Sequence, residues 1–96
     1  MATREEYIDK LEAKLKEWNK RIDEFQEKAE QESDELKVKL NKKTAELKQK
    51  RSKLRDKLEK IKDSGEDAFE EIKKDAELLW DDIKEGFTEI KSILKK

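Results

Sequence analysis

The side chains best equipped for chemistry in this chain are carboxylates in adjacent pairs: Glu66-Asp67, Glu70-Glu71 and Asp81-Asp82. Acid–base or metal chemistry needs such groups to converge on one point, or to be joined by a histidine as in Glu-x-x-His metal sites. Adjacent positions on a helix diverge by about 100°, and the chain contains no histidine. The pairs therefore read as solvated surface, and nothing in them builds a cation cage. Cysteine is absent too, which removes thiolate nucleophiles and disulfides, and the lack of histidine removes the usual titrating group near neutral pH. No nucleophile with a base and no phosphate cradle is visible. The reading is a protein that is not an enzyme, with no cofactor, no metal and no small-molecule substrate.

A second candidate is a block of cations. Residues 36–62 carry 12 Lys/Arg against 3 Asp/Glu, whereas 1–35 carry 7 against 12 and 63–96 carry 6 against 11. A net charge of −1 thus conceals an acidic, basic, acidic order. The middle block could contact phosphates in a salt-dependent way. It has no aromatic residue to stack a base and no recognition motif, and the whole chain has a pI near 5.7. Nucleic-acid binding is disfavoured against a basic helix face neutralised by its acidic neighbours.

The third candidate is the apolar stripe of the C-terminal third, with Phe69, Trp80, Ile83 and Phe87. Ile61, Ile72, Ile83 and Leu94 fall eleven apart, as do Ala68, Leu79 and Ile90, and Gly65, Ala76 and Phe87. Eleven-residue amphipathic repeats also serve helices that lie on lipid, and a segment opening to cover lipid or hydrophobic surface is an alternative reading. Such helices carry lysines beside the apolar face, and this segment is net acidic, so packing inside a bundle is favoured over a membrane surface.

The elements that position these groups are helices. Apolar residues make up 32% and charged residues 53% of the chain, with no proline and two glycines, Gly65 and Gly86. That leaves material for a narrow seam in place of a broad core, written in strong helix formers. Thr3 with Glu6 forms a capping box, which starts a helix near residue 4. Ile8, Leu11, Leu15, Trp18, Ile22 and Phe25 then alternate spacings of three and four, a heptad seam. Phe25 to Leu36 is eleven residues, a four-residue stutter, after which Leu36, Leu40, Leu47, Leu54 and Ile61 follow. Lys43 and Lys50 stand where apolar residues are expected, so this stretch needs a partner that neutralises lysine. Ile72, Leu79, Trp80, Ile83, Phe87 and Ile90 complete the predicted self-association seam, in which Trp18 and Trp80 are anchors.

The expected fold is all-α, one helical coiled-coil domain over 1–96: a helix over 4–63, a turn near 64–65 and a helix over 66–95. At Gly65 two readings stand. Asp63-Ser64-Gly65 resembles a helix stop with a left-handed glycine, and Ser64 with Asp67 a second capping box. The eleven-residue columns run through Gly65 as they would in one continuous helix. The hairpin sets the acidic helix back along the basic segment. Two such hairpins, antiparallel about Ser33, would form an elongated homodimer ~90 Å long. The alternative is a monomeric three-helix bundle bent at residues 31–35.

The opening Met1-Ala2-Thr3-Arg4-Glu5-Glu6-Tyr7-Ile8-Asp9-Lys10-Leu11, the stretch Trp18-Asn19-Lys20-Arg21-Ile22-Asp23, the run Gly65-Glu66-Asp67-Ala68-Phe69-Glu70-Glu71-Ile72-Lys73 and Trp80-Asp81-Asp82-Ile83-Lys84 together resemble the small bacterial coiled-coil proteins labelled stress-response proteins. The resemblance implies a cytoplasmic bacterial helical protein and transfers no catalytic or binding residue. The lysine-rich middle departs from the family pattern, whose centre is expected to be richer in alanine. The absence of any apolar run near the ~20 residues that span a bilayer, and of a signal-like N-terminus, fits the same cytoplasmic expectation. The functional expectation is a structural or interaction protein, a homodimer or higher homo-oligomer held by apolar seams and complementary charge blocks.

Overall fold

A computed structural model describes residues 3–94. Three helices follow in order: α1 (Arg4–Glu30), α2 (Asp34–Asp63) and α3 (Glu66–Leu94). They form an up-down-up bundle whose long axis, 49 Å, is little more than the ~40–45 Å of a single helix of this length. The fold is all-α, as the composition and periodicity predict.

Helix α1 starts where the capping box places it, with Thr3 Oγ1 accepting from the Glu6 N–H at 3.1 Å. It does not continue to residue 63. The expected 4–63 helix is divided at residues 31–33, and the structure takes the three-helix alternative. Gln31 is still in the right-handed helical region, and the N–H groups of Gln31 and Glu32 reach back three residues to Lys28 and Ala29 at 3.1 Å. At Ser33, with ψ 158°, the backbone is extended. The physical reason is burial: a lone 60-residue amphipathic helix leaves its seam in water, and folding back removes it. Asp34 and Glu35 in the first turn of α2 suit the helix dipole there.

The second turn lies at residues 64–65, as the hairpin reading has it, but by another mechanism. No glycine has a positive φ, and a Cβ on Gly65 would meet nothing within 4 Å. Ser64 makes the turn in extended conformation, and its hydroxyl donates to the Lys60 carbonyl at 2.5 Å. It thus closes the end of α2 in place of a capping box on α3. Arg4 finishes the same end: its guanidinium donates to the carbonyls of Ile61 (2.7 Å), Lys62 (2.8 Å) and Ser64 (3.0 Å), groups a helix terminus otherwise leaves unpaired. Because an ammonium lacks this planar fork, both Arg4→Gln and Arg4→Lys are expected to lower unfolding free energy by about 1–2 kcal/mol. Urea titration followed by circular dichroism measures this, and an unchanged midpoint for Arg4→Lys would show that charge alone suffices.

The core runs the length of the bundle. In α3 the buried Phe69, Ala76, Ile83 and Ile90 recur every seven residues, so the eleven-residue columns do not set the packing. Of those columns, Ile72 and Leu79 are only half-buried. A seven-residue repeat keeps a helix on its neighbours in a left-handed bundle, where an eleven-residue one would drift. In α2 the seam is Leu40, Thr44, Leu47, Leu54, Leu58 and Ile61, and Thr44 satisfies its buried hydroxyl on the Leu40 carbonyl at 2.8 Å.

Candidate functional site

The predicted seam is one intramolecular core. Leu11, Leu15, Trp18, Ile22, Phe25, Leu40, Leu47, Leu54, Ile61, Ile83, Phe87 and Ile90 are buried together, with Ile8, Ile72, Leu79 and Trp80 half-buried against them. Leu36 is half-buried at the start of α2, outside that cluster. Six buried residues lie outside the predicted seam: Tyr7, Ala29, Thr44, Leu58, Phe69 and Ala76. For Tyr7, Thr44 and Leu58 the spacing is visible in the sequence, since Tyr7 precedes Leu11 by four, Thr44 splits Leu40 and Leu47, and Leu58 splits Leu54 and Ile61.

All six aromatic residues lie between α1 and α3. Tyr7 meets Phe69 (centroids 5.8 Å), Trp18 meets Trp80 edge-on (5.2 Å), and Phe25 meets Phe87 (5.6 Å). The constant offset of these pairs makes the two helices parallel and in register. Lys10 lies over the Trp80 ring and Arg21 over Phe87, at 5.6 and 5.1 Å, so cations cover the outer faces of the rings. Among the described residues no ion pair within 4.0 Å joins α1 to α3.

Helix α2 works oppositely. It has no aromatic residue, and Lys43, Lys50 and Lys57, seven apart, meet Glu89, Asp82 (3.9 Å) and Asp75 (3.5 Å), seven apart in the reverse direction on α3. Lys43 and Lys50 thus flank the seam, which passes through Thr44 and Leu47, and α3 supplies the neutralisation that the sequence demands of a partner. The hydrogen bond between them holds the Glu89 carboxyl below the usual carboxylate range and the Lys43 ammonium above the usual lysine range. Toward α1, Lys62 pairs with Glu12 at 3.1 Å and Lys37 with Glu30 at 2.9 Å, while Arg51 donates to Asn19. Half of the basic block is therefore engaged within the chain. Of the carboxylate pairs, Asp82 serves this ladder, and Glu66, Asp67, Glu70 and Glu71 are exposed.

Two open grooves flank α1. One, about 580 Å³, runs against α2 between Glu12, Asn19, Arg51 and Arg55. The other, about 660 Å³, runs against α3 between Lys10, Ala13, Glu77 and Trp80. Both are rimmed by charges of mixed sign. Among the described residues no three His, Cys, Asp or Glu side chains are grouped to hold a metal ion, and no helix is long and apolar enough to cross a membrane.

One polar group in the core is unsatisfied. The Tyr7 hydroxyl is buried without a hydrogen-bond partner, and burial, with the nearby Glu77 charge, pushes its pKa up to about 12. The folded state then holds a proton that the unfolded chain releases near pH 10, so this group's contribution is complete below pH 10 and is lost as pH rises toward 12. Tyr7→Phe is expected to raise stability by about 1 kcal/mol at neutral pH, by removing the unpaired hydroxyl, and to flatten the decline between pH 10 and 12. Thermal melts at pH 7 and across the alkaline range check both. A destabilised variant would mean the hydroxyl has a partner.

What this arrangement offers is helix recognition: a basic, aromatic-free helix that selects acidic, aromatic helices on both sides by apolar knobs and charge. No protein-family model, curated protein or solved structure matches the chain.

Proposed function

We propose that the chain is a non-enzymatic structural or interaction protein that self-associates through its apolar seams and complementary charge blocks. The observation that carries this reading is the ladder of Lys43, Lys50 and Lys57 on Glu89, Asp82 and Asp75 beside a continuous seam. It is a recognition pattern one helix presents to another, and it serves equally well within a chain or between chains. The resemblance of its opening and C-terminal stretches to bacterial stress-response proteins supports a cytoplasmic spacer, scaffold or protective role. Sedimentation equilibrium from low to high micromolar concentration tests the self-association. The expected result is a mass rising from 11.5 kDa toward a multiple of it; one chain's mass at every concentration would refute it.

A further inference from the structure

Resting on that reading, we infer that the partner is a second copy of this chain, which exchanges α1 by straightening residues 31–33 into helix. Each half of the resulting dimer would hold α1 of one chain against α2 and α3 of the other.

Four observations lead there. The first connection contains neither Gly nor Pro, and no residue in it has a positive φ, so no residue is there to force a break. Gln31 is already helical and Glu32 bonds back to Ala29; the ψ of Ser33 marks the departure. Ser33 stands at the N-cap of α2, yet its side chain makes no capping hydrogen bond, so the usual reward for breaking a helix at serine is missing. Finally, the buried Ala29 and Leu40 are eleven residues apart, about three whole turns, so a helix running through keeps the apolar faces of α1 and α2 on one side.

The second connection differs. Gly65 is among its residues, the Ser64 hydroxyl secures the end of α2, and the ladder binds α2 to α3. The hairpin α2–α3 therefore stays together and α1 is the element that leaves. Apart from the contact across the turn itself, the contacts of α1 are remade with the second chain, because two straightened helices packed antiparallel about Ser33 set acidic 4–30 on basic 34–63 twice. The Lys37–Glu30 pair across the turn, at 2.9 Å, is given up, since in a straight helix these residues stand ~10 Å apart along the axis. Intramolecular closure wins in dilute solution and exchange gains with concentration.

The test uses two full-length chains, one carrying Glu12→Cys and the other Lys62→Cys, positions that face each other across α1 and α2. They are refolded together at high concentration and treated with a short bismaleimide. The expected product is a covalent pair of the two different chains. In each chain a further substitution, Asp34→Pro, separates the forms. Proline suits the first position of α2, where Ser33 already has the extended backbone that must precede it. In a fused helix it is interior and costs about 3 kcal/mol, so the cross-linked yield should fall by about 100-fold or more while circular dichroism still shows a folded bundle. If the parent self-associates but gives no covalent pair, or if the proline variant gives it undiminished, exchange is wrong and the interaction reading stands on another surface. If the parent is monomeric at every concentration, both fall.

Discussion

Trp18→Ala is expected to cost about 3–5 kcal/mol, a large share of the stability available to a domain of this size. Trp18 is 1% exposed and lies edge-on to Trp80 at 5.2 Å, with Phe87 at 6.1 Å. Because no ion pair among the described residues joins α1 to α3, the space between those helices is held by rings, and α2 packed against both prevents its collapse. A cavity then persists, and its lining loses dispersion contacts outright. Trp18→Phe keeps an aromatic edge at that point and should lose far less. Urea unfolding followed by circular dichroism separates the two, since the fluorophore itself is removed. A loss under about 1 kcal/mol for the alanine variant would contradict the packing described.

Gly86→Ala is expected to change sign with its neighbour. A Cβ on Gly86 would overlap the Leu47 side chain, with Leu47 Cγ at 3.2 Å and its Cδ2 nearer still. Leu47 is 2% exposed, so making room for the methyl means shifting a side chain packed in the core. In the parent, overpacking of about 1–3 kcal/mol exceeds the gain of about 1 kcal/mol from replacing glycine in a helix, so Gly86→Ala destabilises. Leu47→Ala alone costs about 2–5 kcal/mol. In that background the new methyl enters vacated space, and Gly86→Ala should stabilise. The double-mutant cycle should therefore show a coupling of about 1–3 kcal/mol. A simple gain from Gly86→Ala in the parent would mean that α2 and α3 are not so close at this level.

These contacts also show what was legible beforehand. Thr3 and Glu6 announce the start of α1, and the seam from Leu11 to Phe25 announces its buried face, because spacing alone determines which side chains share a side. The charge blocks anticipate that acidic α3 lies along basic α2. The place of the break was legible, in the stutter and the 31–35 alternative, but not that the chain takes it. That is decided by whether the seam closes on its own chain or another, and no local residue records it. At Gly65 the position was legible but not the conformation, which depends on a hydroxyl bond that Ser64 makes back to Lys60. In α3 both periods claim Ile83 and Ile90, and over 29 residues seven- and eleven-residue repeats separate by only a fraction of a turn. Thr44 went unseen because a small polar residue is no hydrophobic signal, and its neighbour Lys43 drew the seam one position aside. The biological role is harder to read for a chemical reason: charged helical surfaces recognise many partners with the same few residue types.

The most direct test of the account is small-angle scattering with light-scattering mass, taken across a tenfold concentration range. A compact monomer near the 49 Å length of the bundle is expected at low concentration, giving way to a dimer ~90 Å long as concentration rises. A mass of 11.5 kDa throughout would contradict self-association. A doubled mass without the longer dimension would contradict the exchange of α1.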